Sequence, residues 1–232
     1  MGAFSIMSGA DDLGTAAEAD TPKRRRRRLT QQPPRPQAER SAETQSRLIE
    51  AAVTCLHRVG YGLTTVSMVA DEAGVSRGAL THQFATKIDL MLAVVQHVFE
   101  MEAAYYGRVL DALPPIEALT HLPQLMWEVL SRPPAIAVIE IMLATRSDPV
   151  LTEKLRLMQA EIDRVARERI LKRIAAAGLV ERPDGQAIHR VFVAAIRGLA
   201  IEALSMGEQV RTEDSVKVLT EVQRLLYQGV QR

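Results

Sequence analysis

The chain contains a single cysteine, Cys55, so no disulfide can form within it, and a reducing compartment suits it. It has no apolar run of the length that a bilayer-spanning helix needs, and its N-terminus lacks an apolar stretch followed by a cleavage site. We therefore expect a cytoplasmic protein that is neither secreted nor membrane-spanning. Ala52 and Leu56 lie beside Cys55 in a helical pattern, which predicts a buried structural thiol.

Catalytic and metal-binding patterns are also missing. The five histidines are scattered, with no HExxH-like pair and no cysteine cluster, so no metal site stands out. No glycine-rich phosphate loop and no nucleophile elbow is present. The sequence therefore predicts a protein that is not an enzyme and uses no cofactor. An all-helical enzyme remains an alternative that a clustered acid–base constellation would support.

A strongly basic segment stands near the start of the chain. Residues 1–40 hold eight Lys or Arg and five Asp or Glu, with the run Lys23–Arg28 followed by a proline-rich stretch. Such a composition cannot bury a core, so we predict a disordered arm. The run can add phosphate contacts beside a DNA-binding domain, serve only as a solvating tail, or resemble a targeting signal. Met1 and Met7 are alternative translation starts.

Past residue 40, apolar residues repeat at helical spacing, and no segment shows convincing strand alternation. Gly60 is predicted to stop the first helix, while Thr64 or Thr65 can cap the second helix and Ser76 the third. Long helices are expected over about 87–110, 149–177 and 184–207. The predicted fold is all-α, with about nine helices.

The segment Ala70–Phe84 has the outline of a helix-turn-helix. Gly74 falls where a helix commonly ends in the left-handed conformation, which glycine adopts without a Cβ penalty. Ser76 can accept a hydrogen bond from a free amide at the start of the second helix. Val75 and Leu80 can pack inward, which leaves the small and polar residues of that helix free to meet the DNA major groove.

A longer pattern around this segment resembles the N-terminal signature of TetR-family transcriptional regulators, over about residues 45–92. The matching residues are Gly60–Val66, Val69, Ala70, Ala73–Ser76, Leu80, Phe84, Lys87 and Leu90. The resemblance implies an all-α homodimer in which a three-helix DNA-binding domain, here 41–88, joins a larger helical ligand-binding and dimerisation domain, here 89–232. In the family, ligand binding typically releases the protein from its operator; most members repress and some activate.

Carried over position by position, the resemblance implies a recognition helix at about 76–83. Arg77 is the candidate for bidentate readout of guanine, and Ala79 can touch a thymine methyl. Lys87 matches a phosphate-contacting position at a helix start. The predicted DNA-binding residues are Thr65, Ser76, Arg77, Gly78, Ala79, Thr81, His82 and Lys87.

Two positions depart from the family pattern. Thr81 stands where the family usually has Tyr, and Gln83 where it often has His or Tyr. The loss of Tyr removes a side chain that can reach a distant phosphate or base. The hydroxyl of Thr81 can donate a hydrogen bond to DNA only at short range. Residues 41–100 carry four basic and six acidic side chains. We therefore expect much of the attraction to DNA to come from the run Lys23–Arg28.

Two further residues of this region have more than one interpretation. His82 can contact phosphate or have no role. Arg77 can form a surface ion pair with Asp71 or Glu72 in the free protein, which DNA would displace at a cost under about 1 kcal/mol.

The C-terminal domain supplies candidates for an effector site and for a dimer interface. Large, soft side chains suit an adaptable apolar pocket, although ordinary core packing explains each of them singly. The candidate pocket residues are Met101, Tyr105, Tyr106, Met126, Trp127, Met142 and Met158, with His121, Glu140 and Arg146 as polar candidates that can equally form salt bridges or lie at the surface. Small residues at helical spacing let helices approach closely, and the resemblance places them in a four-helix dimer interface; a tight contact within one chain is the alternative. They are Ala187, Ala194, Ala195, Gly198 and Ala203.

The sequence therefore predicts a homodimeric, sequence-specific regulator that binds inverted-repeat double-stranded operator DNA. In the simplest version it is a repressor that a small, largely apolar effector releases. A ligand-independent or activating regulator of the same fold is the nearest alternative. A module that binds nucleic acid mainly through its arginine run, RNA included, is a third, which a sequence-specific footprint on duplex DNA would separate from the first.

Overall fold

The computed structural model describes residues 37–179, 183–207 and 211–228. Over these ranges the chain forms α-helices, one 3-10 turn at Thr145–Ser147 and no strand, which confirms the predicted all-α fold. The helices are α1 Gln37–Leu63, α2 Val66–Ala73, α3 Arg77–Gln83, α4 Lys87–Asp111, α5 Pro115–Thr120, α6 Leu122–Leu130, α7 Pro133–Ala144, α8 Pro149–Ala176, α9 Gly185–Met206 and α10 Thr212–Gln228. The basic run Lys23–Arg28 lies outside the described residues. No helix within those ranges is long and apolar enough to cross a membrane.

Helix α1 begins earlier and ends later than the sequence predicts. Residues 37–40 are helical, although the sequence assigns them to the arm; Gln, Ala, Glu and Arg are all good helix formers. Gly60 does interrupt the helix, with φ 74° and ψ 172°, but one further turn follows it. That turn is held by Thr64, whose hydroxyl donates to the Gly60 carbonyl at 2.7 Å.

Local capping explains most of the other helix starts. Thr65, Ser76, Thr86 and Asp148 each accept a hydrogen bond from a backbone amide three residues further on. Each of these bonds satisfies an amide that has no partner within its own helix, which stabilises a helix by about 1 kcal/mol. Because every such bond joins residues three apart, the cap can be predicted from the sequence alone.

One apolar cluster joins the DNA-binding helices to the C-terminal helices. Leu56 of α1, Leu80 of α3 and Met91 of α4 pack in the same buried cluster as Ile141 of α7 and Leu151 of α8. Burying a side chain of this size stabilises a fold by roughly 1.5–3 kcal/mol. Helix α3 therefore rests on a core that α7 and α8 help to build. Cys55 is fully buried in this cluster, as the sequence predicts.

A second apolar cluster lies further from the DNA-binding helices. It is formed by α6, α9 and α10, and its buried members include Met126, Phe192, Ile196 and Val216. Tyr106 of α4 packs against its side. The C-terminal half of the molecule is thus organised around α9, whose inner face is apolar.

Candidate DNA-binding surface and effector region

The turn between α2 and α3 has the geometry that the sequence predicts. Gly74 ends α2 in the left-handed conformation, with φ 63° and ψ 39°. The Val75 amide closes the turn by donating to the Ala70 carbonyl at 3.0 Å. Arg47 of α1 donates from its guanidinium to the carbonyls of Ala73 and Gly74. The angle between α2 and α3 is therefore held from a third helix as well as by the turn itself.

Helix α3 presents one face inward and the other outward. Leu80 and the adjoining Phe84 are buried and anchor the helix to the core. Ser76 caps it, with its hydroxyl oxygen accepting from the Ala79 amide at 3.1 Å. Arg77, Gly78, Thr81 and His82 are exposed, and Ala79 is half-buried. The predicted recognition residues thus share one accessible surface.

Arg77 is available for a ligand on this surface. It forms no ion pair with any acidic residue in the described parts of the chain. Glu72, one of its predicted partners, is instead paired with Arg58 of α1 at 3.0 Å. The expected competition between Glu72 and DNA for Arg77 is therefore absent from this conformation.

The side chains at the two positions that depart from the family pattern both donate hydrogen bonds within the protein. The Thr81 hydroxyl donates back to the carbonyls of Arg77 and Gly78, each at 3.1 Å. Gln83 is half-buried and donates from its amide to the Ser41 hydroxyl of α1 at 2.8 Å. The outward contacts of α3 are consequently concentrated near its N-terminus.

The Lys87 ammonium is engaged with Tyr61 in this structure, and its phosphate contact stays a prediction. Its ammonium donates to the Tyr61 carbonyl at 2.8 Å and sits 4.0 Å from the centre of the Tyr61 ring. Burial lowers the pKa of Lys87, and the negative charge of Asp148 opposes that shift. Thr65, the other predicted phosphate contact, is exposed at the start of α2. A phosphate contact by Lys87 therefore requires its side chain to leave Tyr61.

Tyr61 also joins the DNA-binding helices to α7. Its backbone amide donates to Glu140 Oε2 at 3.0 Å, and burial raises the pKa of its phenol. Glu140, one of the polar candidates for the effector pocket, thus makes its hydrogen bond at the break in α1. This arrangement, which we call the Tyr61 junction, consists of Gly60, Tyr61, Lys87 and Glu140.

The predicted pocket residues do not converge on one place. Met142 and Met158 flank the cluster shared with the DNA-binding helices, whereas Met126 and Trp127 belong to the α6–α9–α10 cluster. Tyr105 lies beneath the guanidinium groups of Arg108 and Arg132. Met101 is 45% exposed, and His121 and Arg146 are exposed too. Ordinary packing or surface placement therefore accounts for most of them.

A polar cluster between α4, α8 and α9 combines Tyr106, a predicted pocket residue, with four residues that sequence reasoning missed. We call it the Arg197 cluster; it consists of Glu102, Tyr106, Asp163, His189 and Arg197. Burial raises the pKa of Glu102 to about 7, although the charge of Arg197 opposes that shift. Burial likewise lowers the pKa of His189, with Asp163 opposing it and Arg197 reinforcing it. The available signal was an arginine next to Ile196 on the apolar face of α9.

The predicted dimer residues are accessible. Ala187, Ala194 and Gly198 are exposed on α9, while Ala195 and Ala203 are half-buried. The same helices expose large apolar side chains, among them Val191, Ile201, Leu204, Val218 and Leu225. A shallow groove between α9 and α10 is lined by Ala195, Leu199, Ser215, Val218 and Leu219.

The fold and this surface together define a helix-turn-helix DNA-binding protein. Residues 48–94 match the family model described as "Bacterial regulatory proteins, tetR family". The regulator CymR from Pseudomonas putida is 29% identical over 199 residues, which cover 85% of this chain and 98% of that protein. Over residues 48–94 the chain therefore matches the TetR family, and over most of its length it is similar to an HTH-type transcriptional regulator.

Two further comparisons extend this result. The transcriptional repressor KstR2 from Mycolicibacterium smegmatis is 31% identical over 99 residues, which cover 42% of this chain and 48% of that protein. The crystal structure of a transcriptional regulator from Saccharomonospora viridis in complex with choline superposes with a TM-score of 0.61 at 17% identity. The superposition covers 78% of this chain and 95% of the other, and shows that the two share a fold.

Proposed function

We propose that the protein is a repressor that binds an inverted-repeat operator as a homodimer and is released by a small-molecule effector. The observation that carries the proposal is the surface at the N-terminus of α3. There an unpaired Arg77 stands beside Gly78, on a helix whose orientation is fixed by the Gly74 turn and by Arg47. An accessible arginine on a helix that is held in this way suits bidentate pairing with guanine in the major groove.

We assign the contacts by where each side chain can reach. Arg77 takes the base edge, Gly78 allows the helix to approach closely, and Ala79 contacts a neighbouring thymine methyl. Phosphates on either side bind near the starts of α2 and α3, where Thr65 and Ser76 lie and backbone amides point outward. Lys87 would add a further phosphate contact once its ammonium leaves the Tyr61 carbonyl.

The accessible face of α9 and α10 supports dimerisation with a second copy of the chain. Small residues at Ala194 and Gly198 permit a close helix crossing, and the exposed apolar side chains around them would be buried by it. A Cβ added at Gly198 would meet no atom within 4 Å, so the space above it is free for a partner helix. A two-fold dimer reads two half-sites, which is why the operator is expected to be an inverted repeat.

The Tyr61 junction offers a physical link between the effector domain and the DNA-binding surface. Glu140 of α7 holds the Tyr61 amide, and Tyr61 in turn holds Lys87 at the start of α4. A shift of α7 on effector binding would therefore change both the break in α1 and the position of Lys87. Effector control is also consistent with the choline complex of the S. viridis regulator, and repression with the name of KstR2.

The first test replaces Arg77 with alanine. Because Arg77 is assigned to one base pair, Arg77→Ala should cost about 1–3 kcal/mol on the preferred operator and relax selectivity at a single position. The operator would be obtained by selection from a random duplex pool, and dissociation constants would be measured on it and on its single-base variants. Arg156→Ala is the matched control, since Arg156 is an exposed arginine of α8 paired with Glu153.

The outcomes separate base readout from general attraction. An equal loss of affinity on every DNA sequence would assign Arg77 to phosphate contact and contradict base readout. Failure of the unaltered protein to select any duplex sequence would contradict the proposed function as a whole. Transcription from a promoter that carries the selected operator then distinguishes repression, which lowers it, from activation, which raises it.

A further inference from the structure

Helix α1 forms hydrogen bonds near both ends of α3. Arg47 donates from its guanidinium to the carbonyls of Ala73 and Gly74, the latter at 3.3 Å, in the turn that precedes α3. Ser41, which lies about 9 Å earlier along α1 by the rise of a helix, accepts from the side-chain amide of Gln83 at 2.8 Å. Gln83 is the last residue of α3. The N-terminal half of α1 therefore lies along α3 and is bonded near its beginning and at its end.

Arg47 satisfies backbone groups that the turn itself leaves open. The last carbonyls of a helix have no amide partner within it. The amides of the turn donate to the carbonyls of Ala70 and Asp71, whereas those of Ala73 and Gly74 accept from Arg47. A guanidinium is always charged in proteins, and its hydrogen bonds are stronger than those of a neutral donor. The turn is therefore held by a charged contact from outside the helix-turn-helix.

Gln83 makes its bond at a position where the family pattern often has His or Tyr. Both Gln83 and Ser41 are half-buried, and they lie 42 positions apart in the chain. The amide that donates to Ser41 is directed along the protein surface to α1, away from the N-terminal part of α3 where Arg77 lies. The departure from the family pattern therefore gives α3 a further attachment to α1.

Apolar packing alone would leave the tilt of α3 weakly defined. Leu80 and Phe84 anchor the helix by burial, but the hydrophobic effect is non-directional. A helix as short as α3 is also marginal by itself. Hydrogen bonds have preferred lengths and angles, so bonds at both ends of α3 restrict the direction of its axis in a way that burial does not.

We propose that α1 is a brace for α3, in which Ser41, Arg47 and Gln83 are positioning residues that set the angle at which α3 meets the operator. The inference rests on the proposed function, because it concerns the same DNA surface. The three residues act through the placement of Arg77 and Gly78. Base readout needs accurate placement, whereas general attraction to phosphates does not depend on sequence. The brace should therefore contribute to selectivity for the operator more than to affinity for DNA as such.

The first experiment removes the contact at the turn. Dissociation constants of full-length Arg47→Ala are measured on the selected operator and on a scrambled duplex, at several salt concentrations. We expect binding to the operator to weaken at least tenfold and binding to the scrambled duplex less than threefold. The slope of log affinity against log salt should stay unchanged, because no phosphate contact is lost. Arg47→Lys should retain part of the selectivity, since an ammonium can still donate to the two carbonyls.

Arg40→Ala is the matched control for charge. Arg40 is an exposed arginine of the same helix, and its replacement removes the same charge without touching the turn. The ratio of the two affinities should therefore stay as in the unaltered protein. An equal loss on both duplexes in Arg47→Ala, with a salt slope lower by about one, would make Arg47 a phosphate contact and overturn the inference. Unchanged operator affinity in Arg47→Ala would overturn it too.

A double-mutant cycle tests the other end of α3. Ser41→Ala and Gln83→Ala should each weaken operator binding by about threefold or more, and the double variant by no more than either one, because all three lose the same bond. Ser46→Ala is the control, since the Ser46 hydroxyl donates to Glu50 of its own helix. Direct contact of Gln83 with DNA would instead give no effect of Ser41→Ala and an undiminished effect of Gln83→Ala in the Ser41→Ala background, which would contradict the brace.

Thermal unfolding of every variant separates positioning from stability. Binding is measured well below the lowest unfolding midpoint, where a loss of folded protein would in any case reduce binding to both duplexes equally. Selective binding by the unaltered protein, with selectivity unchanged in Arg47→Ala and Gln83→Ala, would refute the inference alone. Failure of the unaltered protein to prefer any duplex sequence would refute the proposed function instead.

Discussion

Gly78 of α3 occupies a position where neither the backbone conformation nor the neighbouring atoms of the protein require a glycine. A Cβ added there would meet only the Ser76 hydroxyl, at 3.9 Å, and the backbone is helical. Alanine should therefore stabilise the free protein by about 0.5–1 kcal/mol, through its better helix propensity. The requirement for glycine must then come from outside the chain, and we assign it to close approach of DNA.

This assignment predicts opposite effects of Gly78→Ala on two measurements. The midpoint of thermal unfolding should rise, whereas affinity for the selected operator should fall by about tenfold or more. Gly107→Ala is the matched control, because Gly107 is a helical glycine of α4 with no atom within 4 Å of its added Cβ. It should raise stability without changing operator affinity. Undiminished operator binding by Gly78→Ala would remove Gly78 from the DNA-facing surface.

Residue positions could be predicted from the sequence more reliably than residue orientations. Arg77 lies exposed where the family pattern places it, but Lys87 is turned toward Tyr61 and Thr81 bonds its own helix. A sequence match specifies which helix and which turn a residue occupies. It does not specify a rotamer, which depends on neighbours such as Tyr61 that are distant along the chain.

Among the elements, α1 depends at its contact with α7 on one glycine whose backbone conformation would strain any other residue. Gly60 adopts φ +74°, and a Cβ there would lie 3.0 Å from Glu140 Oε2. Gly60→Ala should therefore destabilise the protein by about 1–2 kcal/mol from the backbone conformation alone, with a further cost from crowding Glu140. Gly62→Ala is the control, since its Cβ would meet no atom within 4 Å.

Denaturant unfolding is measured for Gly60→Ala and Gly62→Ala, each alone and combined with Glu140→Ala. The comparison separates the cost of the backbone conformation from the cost of crowding Glu140. In the Glu140→Ala background Gly60→Ala should lose the crowding part of its effect and keep the backbone part. Glu140→Ala by itself should destabilise the protein by about 1–3 kcal/mol, because it leaves the Tyr61 amide without its acceptor. An equal cost for Gly60→Ala and Gly62→Ala would show that the positive φ is not maintained in solution.

The ends of helices could be predicted from the sequence where they depend on hydrogen bonds between nearby residues. The contacts between helices could not. The caps at Thr86 and Asp148 act within three residues, so their sequence pattern is sufficient. The contact between Glu140 and Tyr61 spans 79 positions, and the approach of Arg197 to Glu102 spans more. Long-range approach of this kind depends on how helices cross, which a helical repeat alone does not encode.

At the scale of the whole molecule, the exposed face of α9 predicts a dimer, and the oligomeric state is the property that tests this prediction. A glutamate at Ala194 would be buried twice across a two-fold interface, with no cation provided for either copy. Ala194→Glu should therefore convert a dimer into a monomer of 25.6 kDa and weaken operator binding, while leaving helix content unchanged. Light scattering after gel filtration measures the mass, and circular dichroism the helix content.

Ala160→Glu provides the control for this prediction. Ala160 is also an exposed alanine of a long helix, α8, but lies outside the proposed dimer face. It should leave both mass and operator affinity unchanged. If the unaltered protein were a monomer at micromolar concentration, neither the dimer nor its inverted-repeat operator would stand.

Trp127 is the one tryptophan in the sequence, and its position makes it an intrinsic optical probe. It lies on α6 between the α6–α9–α10 cluster and a smaller group formed by Ile136, Ile139 and Ala200. The indole therefore senses the packing of α6 and α7 against α9, the helix that carries the proposed dimer face. Its emission wavelength and its quenching by iodide would follow effector binding and subunit dissociation in unlabelled protein, in real time.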